Sequence, residues 1–339
     1  MRVVQVGVGG FGRRWAGVVR GSAGAELAAV VDPDDAARTW AATDLGLAPR
    51  DCLASLDEAL GREGWDAALV VTPPETHHAV ATAALRAGKH VLLEKPLATS
   101  LTEAQDLVAT AAASRRTLMV SQNYRFRRPA RTVQSLVAAG AIGGLLAVKV
   151  ACRRDTRTTF PPGDFRYRMR HPYVLDMAIH HLDLLRALTG RDVEQVFARS
   201  WRVPDSPYLH DPAVIAVMTL EGGGSVAYEG DWAAHGRETS WNAEWELIGE
   251  RGRVLWTGGE DDATRGEVRL QRWGDEPELV GQPRVTDEDQ AGTLRAFVEA
   301  VSAGRQPETS AADNLRSFAA VLACVESIER GEAVAVAAG

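Results

Sequence analysis

Residues 2–12 read Arg-Val-Val-Gln-Val-Gly-Val-Gly-Gly-Phe-Gly, and this stretch decides the fold of the N-terminal half of the chain. Its β-branched run predicts a short strand, and the residues after it place Trp15, Val18 and Val19 on one face of a helix. A run of spaced glycines separates the two elements. The stretch therefore predicts a strand, a tight turn and a helix in immediate succession.

The glycines follow the pattern GxGxxG, in which Gly7 permits the tight turn, Gly9 lets backbone N–H groups approach a pyrophosphate, and Gly12 lets the helix pack closely. A second predicted strand, Glu26–Val31, ends in Asp32, about 20 residues further on, where a dinucleotide fold places the acid that binds the adenosine ribose. The predicted cofactor contacts here are Gly7, Gly9, Gly10, Phe11, Gly12 and Asp32. Asp32 repels a ribose 2′-phosphate and favours NAD, while nearby arginines at 13, 14 and 38 leave NADP open.

Strands and helices continue to alternate, which predicts a parallel sheet covered by helices on both faces. The predicted elements are strand 67–71, helix 75–87, strand 90–93, helix 100–114 and strand 117–121. Ligands of such sheets bind beyond the carboxyl ends of the strands. The residues predicted at those ends are Thr72, Pro73, Glu94, Lys95 and Gln122.

Lys95 stands out because it is one of three lysines in a chain whose other basic residues are arginines. An ammonium group can share or lose its proton when partly desolvated, which a guanidinium cannot do. A solvated charge at a strand end is the alternative, and the position of Lys95 on the predicted cofactor side favours a functional role.

Beyond residue 124 the alternation fades, and the next informative segment is a predicted buried helix around 176–188. Asp176, His180 and Asp183 are four and three residues apart and share a face of that helix. A metal site, an acid–base cluster and a satisfied polar seam are all consistent with this set. The acid–base cluster is favoured, because an imidazole oriented by a carboxylate can accept an alcohol proton, and no metal is predicted.

The remaining chain predicts a large antiparallel sheet followed by two closing helices. The strand-like runs are 192–201, 213–220, 225–232, 241–248, 253–256 and 266–272, the glycine turns are 222–224, 249–252 and 258–259, and the helices are 290–303 and 311–330.

Length and composition set the outer limits of these interpretations. A chain of 339 residues favours two domains. Its net charge of −7 argues against a nucleic-acid partner, and its three cysteines are too scattered for a disulfide framework or a zinc site. No apolar run approaches the roughly 20 residues that span a bilayer, and strand residues follow Met1 directly, so a cytoplasmic location without membrane contact is expected.

The assembled motifs resemble the Gfo/Idh/MocA family of NAD(P)-dependent oxidoreductases over nearly the whole chain. The resemblance rests on Gly7–Gly12, on the stretch from Thr72-Pro-Pro-Glu-Thr-His77 to Glu94-Lys95-Pro96, and on Asp176–Asp183, which is similar to the family pattern DxxxHxxD. It implies an α/β chain with an N-terminal doubly wound Rossmann domain, residues 1–123. A C-terminal α+β domain with a large, mostly antiparallel open sheet is implied for residues 124–339, and its last helices are expected to pack back on the first domain.

By the same resemblance, Lys95, Asp176 and His180 surround the substrate at the nicotinamide and carry the catalysis. Glu94, Pro96 and His77 are implied at the cofactor, and Tyr124 and Arg125 are implied in the substrate pocket. Family members commonly have glycine where this chain has Ala178, which leaves detailed substrate specificity open.

The implied reaction is hydride transfer between NAD(P) and a secondary alcohol of a sugar, polyol or sugar derivative. Glycoside cleavage through transient oxidation and a non-catalytic dinucleotide-binding regulator are the alternatives. A homodimer or homotetramer through the C-terminal sheet is implied, with tryptophans 232, 241, 245 and 256 suited either to that face or to the core. The Arg-rich segment 153–170 is open between anion binding and subunit contacts.

Overall fold

The computed structural model describes residues 1–204, 206–258 and 266–337. The chain forms two compact units. The first comprises Met1–Asn123 with Asp287–Leu315, and the second comprises Tyr124–Thr286 with Arg316–Gly339. The predicted glycine turn 258–259 continues outside the described residues.

The first unit contains a six-stranded parallel sheet. Its strands are β1 (Arg2–Val6), β2 (Glu26–Val31), β3 (Cys52–Leu53), β4 (Ala67–Val70), β5 (His90–Leu93) and β6 (Leu118–Val120). The strand order is β3-β2-β1-β4-β5-β6, so the direction of winding reverses between β1 and β4. Ligands of open α/β sheets bind at this reversal, beyond the carboxyl ends of the strands. The predicted doubly wound sheet is confirmed.

Three of the five helices described next begin at polar residues that cap their exposed N–H groups. The helices are α1 (Gly10–Gly21), α2 (Asp35–Asp44), α3 (Leu56–Leu60), α4 (Pro74–Arg86) and α5 (Leu101–Ser114). Side-chain oxygens of Asp34, Ser55 and Ser100 accept hydrogen bonds from the first turns of α2, α3 and α5. The start of α1 lacks such a side-chain cap and has Gly9 in its place.

The second unit contains a nine-stranded, mostly antiparallel sheet, as expected. Its strands are β7 (Leu145–Arg153), β8 (Val193–Trp201), β9 (Ala213–Leu220), β10 (Ser225–Asp231), β11 (Glu244–Gly249), β12 (Gly252–Gly258), β13 (Gly266–Arg272), β14 (Glu278–Leu279) and β15 (Val334–Ala335). The strand order is β14-β13-β12-β11-β7-β10-β9-β8-β15, and β7 pairs in parallel with β10.

The central strand β7 is missing from the sequence-based prediction. Its side chains alternate between the buried Val148, Val150 and Cys152 and the more exposed residues between them. This period-two pattern is typical of a strand with one buried face, so the information was available in the sequence. The predicted start of β11 at Trp241 is also wrong, because residues 241–243 form a loop in which Ala243 has a left-handed φ of 66°.

Four further helices complete the chain. They are α6 (Arg128–Ala138), α7 (Ile179–Thr189), α8 (Asp289–Ser302) and α9 (Ala311–Arg330). In the second unit α6 packs against α7, and in the first unit α8 packs against α1. The edge strand β6 is covered by Thr309, whose carbonyl oxygen accepts from the N–H of Val120 at 2.9 Å and whose hydroxyl donates to the Val120 carbonyl oxygen at 2.8 Å.

Three of the four tryptophans that suited an interface lie in the core instead. Trp232, Trp245 and Trp256 are at most 2% exposed. Trp245 and Trp256 are buried residues of β11 and β12, and Trp232 follows the end of β10. Large apolar side chains stabilise the fold by leaving water at such positions. The outer face of the sheet carries Phe197 and Val217 on neighbouring strands, 39% and 55% exposed.

None of the helices within the described ranges has the length and apolar character that crossing a membrane requires.

Candidate active site

The glycine turn after β1 has the tight geometry that its sequence predicts. Gly7 has a φ of 93°, and a Cβ at this position would lie 2.4 Å from the carbonyl oxygen of Val71. A Cβ on Gly12 would lie 2.3 Å from the carbonyl oxygen of Gly7, so α1 packs directly against the turn. The buried side chain of Gln5 donates to the carbonyl oxygens of Gly7 and Gly12, a contact that a lone glutamine in an apolar strand could have indicated.

The N-terminus of α1 offers backbone donors to an anionic group. In the part of the chain that the structure describes, no side chain caps this helix and no acidic residue lies in its first turn. A Cβ on Gly9 or Gly10 would meet no atom within 4 Å, so space is open beside this backbone. First-turn N–H groups lack intrahelical partners and attract phosphate. The turn therefore fits a dinucleotide pyrophosphate held by Gly9, Gly10 and Phe11.

Asp32 follows β2, and its carboxylate is oriented by the backbone. Oδ2 accepts from the N–H of Val8 at 2.9 Å, and Oδ1 accepts from the N–H of Asp34 at 3.0 Å. Each oxygen retains a second lone pair that a ribose hydroxyl can use. Arg38 donates to the Asp32 carbonyl oxygen at 2.6 Å and forms an ion pair with Asp35. Residues for ribose binding and a nearby cation are thus both present.

We expect Asp32→Ser to shift cofactor preference from NAD toward NADP. Losing charge-assisted hydrogen bonds to the ribose should raise the Kd for NAD about 10- to 100-fold. Removing the negative charge should lower the Kd for NADP, because Arg38 remains to meet a 2′-phosphate. Calorimetric titration with each dinucleotide measures both changes. The exposed Asp57 of α3 provides the control variant Asp57→Ser, which should keep the NAD preference. An unchanged preference in Asp32→Ser would contradict the assignment.

Glu94 is a buried carboxyl group at the end of β5. Its Oε1 accepts from the indole N–H of Trp15 at 2.8 Å, and its Oε2 accepts from the backbone N–H of Lys95 at 3.0 Å. Burial raises the pKa of Glu94, and the hydrogen bond from Trp15 opposes that shift. The peptide between Lys95 and Pro96 is cis. Glu94 therefore holds the backbone from which the Lys95 side chain extends.

His77 connects the turns that follow β4 and β5. Its Nδ1 lies 2.7 Å from the carbonyl oxygen of Pro96, and its Nε2 lies 2.9 Å from that of Thr72. A neutral imidazole has one N–H and can donate to only one of these oxygens. Burial lowers the pKa of His77, and the two carbonyl contacts oppose that shift. Pro73 precedes α4 in the same turn, and Gln122 is buried just after β6.

Asp176 lies in a π-helical turn, Val174–Ala178, that precedes α7. The sequence predicted one regular helix here, but the turn has wider i→i+5 hydrogen bonding, a feature frequent at functional sites. Asp176 Oδ2 accepts from Nε of Arg166 at 2.6 Å, and Arg166 also contacts Asp164. The same guanidinium lies 4.7 Å from the ring centroid of Phe160. One arginine of the Arg-rich segment therefore holds a predicted catalytic carboxylate.

Asp183 forms a buried ion pair with Arg125. Arg125 Nε lies 2.6 Å from Oδ2, and Nη2 lies 2.7 Å from Oδ1. Ser317 donates to Oδ1 at 2.7 Å and accepts from Arg186 at 2.7 Å. Asp183 is therefore structural, which corrects the expectation that it belongs to the acid–base cluster. Arg125 directs two donors at Asp183, and its substrate contact stays a prediction.

The imidazole of His180 stacks on the ring of Tyr124. The two centroids are 4.5 Å apart, and the ring planes differ by 9°. Both residues are buried, with 8% of Tyr124 and 9% of His180 exposed. The structure thus brings one predicted substrate-binding residue to the predicted base. Lys95 belongs to the first unit, and its joint action with His180 stays a prediction.

His181, next to the predicted base, is fully buried and neutral. Its Nδ1 lies 2.9 Å from the hydroxyl of Tyr228, and its Nε2 lies 3.0 Å from the carbonyl oxygen of Trp241. A single N–H on Nε2 satisfies both contacts, because the Tyr228 hydroxyl can donate to Nδ1. The pKa of His181 is lowered to about 4, chiefly by burial and to a smaller extent by the charge of Arg127, while the contact with the Trp241 carbonyl oxygen opposes the shift.

We expect the free energy of unfolding to decrease as the pH falls from about 6.5 to about 4. Within that window the unfolded chain binds a proton at residue 181 that the folded chain does not bind, so the stabilisation is complete above pH 6.5 and is lost on acidification. The contribution of His181 is about 3 kcal/mol. Urea unfolding across this range should show a shallower pH dependence for His181→Gln than for the wild type. An equal pH dependence of the unfolding free energy in His181→Gln and the wild type would contradict this role of His181.

The glycine turn, the parallel sheet and the acid at the end of β2 together define a dinucleotide-binding domain. Residues 1–122 match the model of the oxidoreductase family with an NAD-binding Rossmann fold, GFO/IDH/MocA, and residues 130–255 match the GFO/IDH/MocA C-terminal domain. The chain therefore belongs to the GFO/IDH/MocA oxidoreductase family, and NAD is its cofactor, with NADP not excluded.

Characterised relatives are similar over almost their whole length. The chain is 26% identical to 1,5-anhydro-D-fructose reductase of Ensifer adhaerens, covering 98% of each chain. It is 28% identical to inositol 2-dehydrogenase 1 of Saccharopolyspora erythraea, covering 98% of this chain and 96% of that one. A crystal structure of an oxidoreductase from Agrobacterium radiobacter with NAD+, L-tartaric acid and magnesium has the same fold, with a TM-score of 0.87, 22% identity and coverage of 99% and 98%.

Proposed function

We propose that this protein transfers a hydride reversibly between NAD and a secondary alcohol of a sugar or polyol. The observation that carries the proposal is the stacking of the His180 imidazole on the Tyr124 ring, which fixes the orientation of the proposed base. The same chain keeps the tight glycine turn that dinucleotide binding requires. Relatives that span the whole chain are named as a sugar reductase and an inositol dehydrogenase, which supports the substrate class. We propose the first unit, residues 1–123 with 287–315, as the cofactor domain and the second unit, residues 124–286 with 316–339, as the substrate domain.

Bound NAD supplies the hydride acceptor. In the proposed mechanism, a ring nitrogen of His180 accepts the proton of the substrate hydroxyl as general base. Lys95 Nζ donates a hydrogen bond to the same oxygen and stabilises its developing negative charge. Asp176, fixed by Arg166, orients the substrate and the imidazole. In the reverse direction His180 returns the proton to the carbonyl oxygen.

Initial-rate assays test this proposal. The protein is mixed with NAD or NADP and with myo-inositol, D-glucose, D-apiose or L-tartrate, and the absorbance of the reduced cofactor is followed. 1,5-Anhydro-D-fructose with NADH tests the reverse direction. We expect turnover with at least one sugar or polyol and its loss in His180→Asn. Release of a sugar from a glycoside without net NADH, or inactivity toward the whole panel, would overturn the proposal.

The outer face of the nine-stranded sheet is proposed as the contact surface for a second copy of the chain. Phe197, Val217 and Ala227 lie side by side on β8, β9 and β10, and the row continues to the ion pair of Lys149 and Glu246. An exposed apolar patch beside paired charges is typical of a protein interface. Sedimentation should show a dimer or tetramer that Val217→Lys dissociates, and a monomeric wild type would contradict this.

A further inference from the structure

Tyr124 contacts a second group besides His180. The guanidinium carbon of Arg127 lies 3.3 Å from the Tyr124 ring centroid, and the imidazole centroid lies 4.5 Å from it in a nearly parallel plane. Both are contact distances over a ring face, and two planar groups cannot share one face at these distances. Arg127 and His180 therefore lie on opposite faces of Tyr124, which gives a three-layer stack.

A polar contact within the second unit holds Arg127 in the stack. Arg127 is 3% exposed, and its Nη1 donates to Oδ1 of Asn242 at 2.5 Å. Asn242 is fully buried in the loop between β10 and β11. Its N–H donates to Ser240 Oγ at 3.2 Å, and its carbonyl oxygen accepts from the Trp245 indole at 2.6 Å. The left-handed φ of Ala243, 66°, is uncommon for a residue with a side chain and completes this turn.

The same loop also holds the histidine that follows the predicted base. The carbonyl oxygen of Trp241 lies 3.0 Å from Nε2 of His181. The Tyr124 and His181 rings are in addition 6.3 Å apart and tilted by 59°. Neighbouring residues of one loop therefore fix Arg127 on one side and the start of α7 on the other. The loop thus binds Arg127 through Asn242 and His181 through Trp241. These two contacts together restrict the imidazole of His180 more than stacking on Tyr124 alone would.

We propose that Arg127 is a positioning residue of this enzyme, which presses Tyr124 against His180 and fixes the imidazole plane for proton transfer. A guanidinium binds an aromatic face through charge and stacking together, so a lysine replaces it poorly. Arg127 contacts the Tyr124 ring, and the Tyr124 ring in turn contacts His180. The kinetic part of this inference rests on the proposed dehydrogenase function, and the structural part does not.

Nuclear magnetic resonance of the protein without substrate tests the structural part. The protein has eight histidines, and the His180 imidazole signals are identified by their loss in His180→Gln. Stacking on Tyr124 shifts these signals away from the values of an exposed histidine. We expect Arg127→Met to move them toward those values, and Arg127→Lys to move them in the same direction. Arg131→Met is the matched control, because Arg131 makes a similar contact, 5.0 Å from the Phe126 ring, in the same segment.

Asn242→Ala is a second variant that removes the hydrogen bond from Arg127 to Asn242 and keeps the charge of Arg127. It should move the His180 signals in the same direction, and circular dichroism checks that each variant is folded. Signals of His180 that stay in place in folded Arg127→Met and Asn242→Ala would overturn the proposal. Movement in Arg131→Met as well would also overturn it, because the effect would then be general.

Kinetics with NAD and the most active substrate of the panel (myo-inositol, D-glucose, D-apiose or L-tartrate) test the catalytic part. Misplacing a catalytic group can cost about 100-fold, so kcat of Arg127→Met should fall by about 10- to 100-fold. The Kd for NAD should change by less than about twofold, because the dinucleotide turn lies in the other unit. The solvent isotope effect on kcat should rise, which a simple loss of folded protein would not produce. Wild-type inactivity would contradict the proposed function. The resonance experiment would still show whether Arg127 positions Tyr124 against His180.

Discussion

Lys95→Ala should lower kcat by about 1,000-fold, which is the cost of removing one donor to a developing oxyanion. The Kd for NAD should change little, because the pyrophosphate and ribose are expected to bind at the glycine turn and at Asp32. Lys95→Arg should recover only part of the activity, since a guanidinium keeps its charge but cannot match a compact ammonium. Turnover with the active panel substrate and NADH fluorescence titration measure the two quantities.

The other two lysines are natural controls for this prediction. Lys149 pairs with Glu246 at 3.0 Å on the sheet, and Lys89 donates to the carbonyl oxygen of Trp65 at 2.9 Å. Alanine at either position should leave kcat near the wild-type value. Wild-type turnover in Lys95→Ala would end the assignment of Lys95. Combining Lys95→Ala with His180→Asn should give much less than the product of the single effects, because groups that act in one step are not additive.

Asp183→Ala should lower the free energy of unfolding by about 3–5 kcal/mol, because it leaves the buried guanidinium of Arg125 without its carboxylate. The two groups are 1% and 7% exposed, and Ser317 loses its acceptor as well. Asp183→Asn should cost less, since an amide keeps the shape and one acceptor oxygen. Chemical denaturation of both variants measures the change.

A pair with the same geometry and less burial provides the control. Arg157 binds Asp155 through two contacts of 2.6 and 2.8 Å, with side chains 29% and 25% exposed. Asp155→Ala should cost only about 0.2–1 kcal/mol, because solvent screens the pair. Equal losses in Asp183→Ala and Asp155→Ala would show that burial does not set the cost, and the structural role of Asp183 would then be wrong.

The features that the sequence predicted correctly depend on interactions between residues close together in the chain. The glycine turn was predictable because a positive φ at Gly7 and the close contact at Gly12 each demand a missing side chain. Five of the six parallel strands were predicted, because apolar runs alternate with helical periodicity. β3, which is only two residues long, is missing from the sequence-based prediction. β7 also has alternating buried and exposed residues, so its sequence contained the pattern of a strand. The sequence-based prediction did not recognise that pattern.

Longer-range features had no comparable signature. The π-helical turn at Asp176 is a change of hydrogen-bond spacing, and composition does not encode it distinctly from an α-helix. The ion pair of Asp183 with Arg125 and the stack of Arg127 on Tyr124 depend on segments far apart in the chain. Helical spacing suggested that Asp183 acts with His180, and tertiary pairing overrode that suggestion.

The return of residues 287–315 to the first unit affects how the chain is synthesised. The edge of β6 acquires its cover only when Thr309 arrives, close to the C-terminus. A ribosome therefore synthesises residues 124–286 of the second unit before the first unit can finish folding, and the edge of β6 stays uncovered during that time. Nascent chains stalled before residue 309 should accordingly depend on chaperones far more than chains stalled after residue 315.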